Sequence, residues 1–226
     1  MRAVLVDCRF DLADPGRGRA LYLAGHAPGA SFLDLDTDLS DLSVPDAGRH
    51  PLPSAERFAT SAGRAGIGHE TLVIAYGNVA PRLWWLLRHF GHDDVAVVDW
   101  RGPWRGGEEA VEPAEFVPRT RAGDTISADE IMERSPTLLD ARAPERYRGE
   151  IEPIDPVAGR IPGALNAPPD GPLPDLDEGE VAVYCGSGVV ACATLLELHR
   201  SGRDDAKLYP GSWSEWCRRG LPVERG

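Results

Sequence analysis

The sequence lacks the features that would place the chain in a membrane or on a nucleic acid. It contains no uninterrupted apolar run of the roughly eighteen residues that a transmembrane helix needs. Basic residues are outnumbered, 24 against 36 acidic ones, and the resulting net charge of −12 disfavours nucleic acid and anionic membrane surfaces as partners. The apolar start within residues 1–7 is too short for a signal peptide, so we expect a cytoplasmic protein.

Cysteine and histidine are also scarce, and neither is arranged for metal binding. The four cysteines form no CxxC pair and have no zinc-ligand spacing, and the six histidines are scattered along the chain. The cysteines are Cys8, Cys185, Cys192 and Cys217. Few and unpaired cysteines are typical of a reducing compartment, where a reactive thiol survives. We therefore expect no metal site.

What the sequence does contain is an internal repeat. Leu5–Arg9 (LVDCR) recurs as Leu138–Arg142 (LLDAR), and Ala24–Ala30 (AGHAPGA) recurs as Ala158–Ala164 (AGRIPGA). The spacing between the two elements is nearly equal in both halves, which indicates a duplication. Strand-like and helix-like segments alternate in each half. This pattern predicts an α/β protein of two domains, each with a mainly parallel sheet flanked by helices.

Composition predicts where the two domains meet. Residues 106–124 are rich in Glu, Pro and Gly, which favours a linker. We assign residues 1–110 to the first domain, 111–125 to the linker and 126–226 to the second domain. The second domain is predicted to begin with a short helix, because Ser127 and Glu130 form a capping-box sequence.

The second domain is expected to be a truncated version of the first. In the first half, Ser54 begins a helical segment that ends near Gly66. The corresponding part of the second half, residues 166–180, is shorter and contains four prolines, which exclude a helix.

Cys185 stands at a junction that favours thiolate chemistry. Val181–Tyr184 predicts a buried strand, and a helix follows that runs to Gly202. Between them, Gly186 and Gly188 allow positive φ, so the chain can curl around one atom. Inward N–H groups and a helix N-terminus stabilise an anion, so we predict that Cys185 reacts as a thiolate.

The segment Cys185–Val189, followed by Ala191, resembles the active-site loop of the rhodanese superfamily. Its Gly-Ser-Gly form is more similar to 3-mercaptopyruvate sulfurtransferases than to thiosulfate sulfurtransferases, and Gly211–Trp216 resembles the family's C-terminal motif. The resemblance covers nearly the whole chain and implies two tandem rhodanese-like domains. The first has Gly77 where the second has Cys185, so it is expected to be catalytically silent.

The resemblance implies a sulfurtransferase that works by two successive displacements. Cys185 would take a sulfane sulfur from 3-mercaptopyruvate or thiosulfate and then pass it to cyanide or to a thiol, such as a thioredoxin-like protein. Gly186, Gly188 and Val189 would form the substrate-binding loop around it. Such chemistry needs no organic cofactor.

Small anionic donors need a cation near this loop. Arg146 matches the family arginine that holds the donor's carboxylate or sulfonate, and Arg160 is a weaker candidate where the family usually has His. An isolated arginine is otherwise a solvated surface residue. The resemblance places a second substrate arginine near Ile154 and Asp155, where this chain has none.

The resemblance also implies a proton relay for 3-mercaptopyruvate. Its positions match Ser187 in the loop and, in the first half, His50 and Asp36. Desulfuration leaves an enolate, which a relay of this kind would protonate. The alternative interpretation is a loop histidine and a solvated carboxylate among the neighbouring aspartates.

Three other functions remain as alternatives at this point. A rhodanese-like phosphatase needs Arg six positions after the cysteine, where this chain has Ala191. A redox pair of Cys185 and Cys192 would distort the following helix, and Cys192 is better explained as a small core residue. A persulfide carrier or binding module without turnover of small donors also fits the sequence.

Overall fold

The computed structural model describes residues 2–226, which form two compact units. The first unit contains Met1–Asp41 and Leu52–Arg121, and the second contains Leu42–Pro51 and Ala122–Gly226. The second unit therefore includes a ten-residue segment from early in the chain, which the domain bounds predicted from sequence did not include. We call residues 42–51 the early segment.

The first unit is a four-stranded parallel sheet with helices between the strands. The strand order is β2-β1-β3-β4, and every neighbouring pair is parallel. Its elements are β1 (Arg2–Asp7), α1 (Arg17–Ala24), β2 (Ser31–Phe32), α2 (Ala55–Arg64), β3 (Thr71–Tyr76), α3 (Ala80–His89) and β4 (Val95–Val98).

The second unit repeats this topology. Its sheet has the order β6-β5-β7-β8, again with parallel pairs only. Its elements are α4 (Ala128–Arg134), β5 (Thr137–Asp140), α5 (Pro144–Tyr147), β6 (Leu165–Asn166), β7 (Val181–Tyr184), α6 (Ala191–Arg200), β8 (Lys207–Leu208) and α7 (Ser212–Arg218). The predicted α/β class with two parallel sheets flanked by helices is confirmed.

The central strand β7 shows why this sheet is parallel and covered on both faces. All four of its residues are buried, and a short fully apolar strand needs packing on each side. Tyr184, Trp213 and Trp216 belong to the apolar core that packs there. The carboxyl end of β7, where ligand sites of parallel sheets lie, leads directly into Cys185.

Local signals place the helices as the sequence predicts. Ser54 caps α2 by accepting a hydrogen bond from the Arg57 N–H, and Ser127 forms the predicted capping box with Glu130 at α4. Residues 167–180, between β6 and β7, form no helix. No helix among residues 2–226 is long and apolar enough to span a membrane.

An arginine–aspartate pair repeats in both units and supports the duplication. In the second unit, Arg142 donates to both carboxylate oxygens of Asp140 and to the Gly159 carbonyl oxygen, at 2.7 Å. Arg9 and Asp7 make the same paired contact in the first unit, at 2.5 Å. The pair lies where the LVDCR and LLDAR sequences match. The aspartate is the last residue of β1 or β5 and the arginine follows two positions later, so the pair fixes the backbone at the carboxyl ends of these strands.

Candidate active site

Cys185 lies at the carboxyl end of β7 and is only 2% exposed. We call residues 185–190 the Cys185 loop, because α6 begins at Ala191. The strand and the helix on either side hold both ends of this loop. The predicted order of strand, cysteine loop and helix is confirmed.

The first turn of α7 fixes the loop through three hydrogen bonds. The Cys185 N–H donates to Ser212 Oγ at 3.1 Å, the Trp213 N–H donates to the Cys185 carbonyl at 3.0 Å, and the Ser214 N–H donates to the Gly186 carbonyl at 3.0 Å. Ser212 is fully buried and has a φ of 53°, in the left-handed region. Such a conformation costs about 1 kcal/mol or more in a non-glycine residue. The C-terminal motif therefore positions the backbone around Cys185.

The loop also offers hydrogen-bond donors for an anion. Among the described residues, the N–H groups of Gly186, Ser187 and Val189 donate to no acceptor. Backbone N–H groups of a loop stabilise negative charge on a bound atom toward which they point. An anion at Cys185, or on a sulfur attached to it, can therefore be stabilised without a charged side chain from the loop.

The two loop glycines are required for different reasons. Gly188 has a φ of 78°, and a Cβ there would lie 2.7 Å from the Pro210 carbonyl oxygen, so the predicted need for positive φ is confirmed. For Gly186 the prediction is wrong, because its φ is not positive. A Cβ at Gly186 would instead lie 2.6 Å from Arg49 Nη2 and 3.5 Å from both Nη atoms of Arg146. Gly186 thus leaves room beside two guanidinium groups.

Ser187 and His50 are in direct contact within the second unit. Ser187 Oγ lies 2.8 Å from His50 Nδ1, and both side chains are buried. The early segment that carries His50 is anchored by Arg49, whose N–H donates to Ser214 Oγ at 3.0 Å, and by a hydrogen bond from Arg218 to the Ala47 carbonyl. The structure therefore brings together two of the three residues predicted for the relay.

Asp36, the third predicted member of the relay, belongs to the first unit. It is half-buried, and its N–H donates to Asp34 Oδ1 at 2.9 Å. Burial, and then the nearby charge of Asp34, raise the pKa of the Asp36 carboxyl above its usual range. Its participation in the relay stays a prediction.

Arg146 is held by two buried carboxylates. Its Nη2 donates to Glu152 Oε1 at 2.7 Å and to Asp155 Oδ2 at 3.3 Å, and its Nε donates to Glu152 Oε2 at 3.2 Å. Burial of Glu152 opposes its ionisation. Hydrogen bonds from Arg146 and from the Asp155 N–H outweigh that effect and hold the pKa of Glu152 below its usual range. The Arg146 guanidinium is therefore oriented beside Gly186 before any donor binds.

Arg160, the weaker candidate for donor binding, makes its contacts outside the Cys185 loop. Its Nη1 donates to the Gly226 carbonyl at 2.8 Å, its Nη2 pairs with Glu224, and its guanidinium lies 4.5 Å from the centre of the Tyr147 ring. These contacts hold residues 224–226 against the rest of the second unit. The structure does not bring Arg160 together with the other candidate residues.

Sequence reasoning missed Arg49 as a residue of the site. Arg49 pairs with Asp155, and its Nη2 is the side-chain atom nearest to a Cβ built at Gly186. Its position directly before His50, which was singled out, was the available signal. Because Arg49 and Asp155 are 106 positions apart, no local pattern connects them.

Cys192 takes a structural position. It is buried in the first turn of α6, where its Sγ donates to the Gly188 carbonyl at 3.3 Å. All four cysteines are buried thiols without a disulfide. This arrangement agrees with the interpretation of Cys192 as a small core residue.

Comparison with known proteins identifies a rhodanese-like domain and relatives named as sulfurtransferases. Residues 126–219 match the model of the rhodanese-like domain. A Mycobacterium tuberculosis protein named as a thiosulfate sulfurtransferase, SseB, is 38% identical over 98% of this chain and 90% of its own length. Human 3-mercaptopyruvate sulfurtransferase is 35% identical over 97% of this chain and 86% of its own length.

A solved structure extends this likeness to the fold. The Escherichia coli 3-mercaptopyruvate sulfurtransferase SseA covers 94% of this chain and 93% of its own length, with 29% identity and a TM-score of 0.78. Both halves of the repeat are thus included in the match. The cysteine loop at the end of β7, the doubled parallel sheets and these likenesses agree, and the chain belongs to the rhodanese family of sulfurtransferases.

Proposed function

We propose that this protein transfers a sulfane sulfur from 3-mercaptopyruvate, in preference to thiosulfate, through a Cys185 persulfide to a thiol or to cyanide. The observation that carries the proposal is the buried 2.8 Å contact between Ser187 and His50 beside Cys185. It supplies a proton path at a loop that already stabilises an anion. Some relatives are named for thiosulfate and others for 3-mercaptopyruvate, so we infer the donor from the geometry of the site.

The first half-reaction moves one sulfur atom onto Cys185. The thiolate attacks the sulfur of 3-mercaptopyruvate, an S–S bond forms, and the C–S bond breaks with its electron pair going to carbon. The leaving group is the enolate of pyruvate, which takes up one proton to become pyruvate. Ser187, hydrogen-bonded to His50, is positioned to deliver that proton.

Thiosulfate differs from 3-mercaptopyruvate in its leaving group and in its charge. Attack on its outer sulfur releases sulfite, which needs no proton. The segment 186–189 carries no basic side chain, so the dianion gains little attraction from the loop itself. The whole chain, at a net charge of −12, repels it further. These features favour the monocarboxylate donor.

The second half-reaction regenerates the thiolate. A thiolate or cyanide attacks the outer sulfur of the persulfide, the S–S bond breaks, and Cys185 leaves with the electron pair. N–H groups of the Cys185 loop stabilise the charge in both stages. A thioredoxin-like protein is the acceptor we favour in a reducing cytoplasm, where the thiols of this chain would remain reduced.

The proposal is tested by mass spectrometry of the intact protein. Incubation with 3-mercaptopyruvate should add one sulfur atom, and cyanide should remove it as thiocyanate. Cys185→Ser should abolish the addition, whereas Cys192→Ser, the matched control, should retain it. Sulfur that still appears on the Cys185 variant would refute the assignment of the nucleophile.

Steady-state kinetics then show which donor the enzyme prefers and whether it turns over with small acceptors. We expect a higher kcat/KM for 3-mercaptopyruvate than for thiosulfate, with cyanide as the common acceptor. An enzyme that is clearly faster with thiosulfate would overturn the choice of donor. A persulfide that forms but does not turn over with small acceptors would show a carrier instead.

A further inference from the structure

One residue of α7 bonds to both sides of the contact between Ser187 and His50. The N–H of Ser214 donates to the Gly186 carbonyl at 3.0 Å, and its Oγ accepts the Arg49 N–H at 3.0 Å. Gly186 directly precedes Ser187 in the sequence. Arg49 directly precedes His50, whose Nδ1 lies 2.8 Å from Ser187 Oγ. Ser214 thus connects the Cys185 loop with the early segment, although Ser214 and Arg49 are 165 positions apart.

Both hydrogen bonds act on peptide groups next to the two side chains of the proposed relay. The Gly186 carbonyl shares a planar peptide with the Cα of Ser187, so its hydrogen bond fixes where the Ser187 side chain begins. The Cα of Arg49, which follows the bonded N–H, is one Cα spacing, about 3.8 Å, from that of His50. Ser214 therefore sets the distance between the two segments beside the 2.8 Å contact.

The same side of α7 holds the rest of the early segment. Ser214 and Arg218 lie four positions apart and so share one face of the helix. Arg218 donates to the Ala47 carbonyl, and a Cβ at Gly48 would lie 2.6 Å from the Gly211 carbonyl oxygen. Three consecutive residues, 47–49, thus contact α7 or the residue before it through their main chain. This contact gives the early segment a fixed path up to His50.

The helix itself does not explain the hydroxyl of Ser214. Ser214 is 2% exposed, and alanine is a better helix former than serine. A buried hydroxyl is costly unless it is hydrogen-bonded. This hydroxyl both donates and accepts, since Oγ donates to the Gly211 carbonyl at 3.2 Å and accepts the Arg49 N–H. The bond to Gly211 turns the hydroxyl proton away from Arg49, so a lone pair of Oγ faces the early segment.

We propose that Ser214 is a positioning residue for the proton relay, which aligns His50 with Ser187 and so favours 3-mercaptopyruvate over thiosulfate. The effect on the choice of donor rests on the proposed function, because only the enolate leaving group takes up a proton. The alignment of the two segments rests on the hydrogen bonds of Ser214 alone. Ser214 acts through the main chain of Gly186 and Arg49.

Ser214→Ala tests the proposal, because it removes the hydroxyl and keeps the N–H that bonds to Gly186. We expect the ratio of kcat for 3-mercaptopyruvate to kcat for thiosulfate to fall about tenfold. A displacement of about 1 Å can cost about 100-fold in rate, and here one of the two hydrogen bonds remains. Release of sulfite needs no proton, so kcat for thiosulfate should stay close to that of the wild type.

Ser201→Ala is the matched control. The Ser201 hydroxyl donates to the Leu198 carbonyl, three residues earlier, at 2.8 Å, just as Ser214 donates to Gly211. Ser201 lies at the carboxyl end of α6, whereas the Cys185 loop precedes this helix. Its replacement should therefore leave the ratio of the two kcat values within about twofold of the wild type, as expected for an exposed side chain.

Amide hydrogen exchange provides a second readout that requires no turnover. The Arg49 N–H should exchange about fivefold faster in Ser214→Ala than in the wild type, because it loses its acceptor. The Leu208 N–H, which donates to the Asp124 carbonyl, should exchange at an unchanged rate. An Arg49 rate that does not change, or an equal increase at both amides, would overturn the proposal.

Three kinetic results would also overturn it. The ratio of the two kcat values could stay unchanged in Ser214→Ala, both donors could slow equally, or Ser201→Ala could lower the ratio as much. The proposed function fails separately. A wild-type protein that turns over neither donor would refute sulfur transfer, and exchange at Arg49 would still show whether Ser214 aligns the early segment. Turnover of thiosulfate alone would overturn both.

Discussion

Replacing His50 by alanine should separate the two donors of the proposed reaction. In the proposed mechanism, the pyruvate enolate is protonated through the Ser187–His50 contact, whereas release of sulfite needs no proton. A positioned acid–base group contributes about 10²- to 10⁴-fold to a rate. Because the proposed relay runs from His50 through Ser187 to the substrate, we take the lower end. We expect kcat for 3-mercaptopyruvate to fall about 100-fold and kcat for thiosulfate to fall less than about threefold.

The substitution also has a structural cost that must be separated from the chemical one. Ser187 is buried, and loss of the His50 ring leaves its hydroxyl without this partner, at about 1–3 kcal/mol. His50→Gln restores a hydrogen-bonding group that cannot relay a proton near neutral pH. It should therefore recover thermal stability and leave the 3-mercaptopyruvate rate low.

Pyruvate release and thiocyanate formation, measured on the same preparations, provide the assay. His69→Ala is the matched control, because His69 is exposed and should affect neither donor. Equal losses with the two donors, or full activity of His50→Gln with 3-mercaptopyruvate, would refute the relay and leave His50 as a packing residue.

Two further predictions concern the groups that hold the site together. Glu152→Gln should lower the free energy of unfolding by about 2 kcal/mol near pH 7, because it removes a buried charged partner of Arg146. The folded-state pKa of Glu152 lies below its usual value, so this stabilisation is complete above about pH 4.3 and is lost as the pH falls through the folded pKa. In urea unfolding, the difference in free energy of unfolding between wild type and variant should decrease below pH 4. A difference that increases there would contradict the lowered pKa of Glu152. Ser212→Gly should be more stable than Ser212→Ala by about 1 kcal/mol, since both lose the hydroxyl that accepts from Cys185 and only glycine relieves the φ of 53°; equal melting temperatures would show that the backbone there is unstrained.

The sequence predicts best what is decided locally. Ser127 and Glu130 lie three positions apart, and the capping box they form depends on no other part of the chain. The strand, loop and helix around Cys185 are likewise contiguous, and the repeat supplied the doubled α/β fold. These features were predictable because each depends on neighbours in the sequence or on a second copy of the same pattern.

What could not be predicted depends on long-range contacts. The reason for glycine at position 186 is a guanidinium from position 49, and no periodicity or motif connects the two. The same holds for Asp155, which lies in the stretch where a second arginine was missing and instead binds an arginine from elsewhere. Asp36 stays a prediction for a related reason, since its role depends on where a residue of the first unit lies during the reaction.

The early segment has a consequence for synthesis on the ribosome. Residues 42–51 emerge long before β7, yet they complete the unit that contains Cys185. The nascent chain can therefore fold most of its first unit before Asp155 and Ser187, the partners of Arg49 and His50, have been synthesised. Cys185 therefore acquires these neighbours only near the end of translation, and an incomplete chain lacks the contact between His50 and Ser187. For the same reason, a gene fragment encoding only the second repeat would lack Arg49 and His50, and Asp155 and Ser187 would lose these two partners.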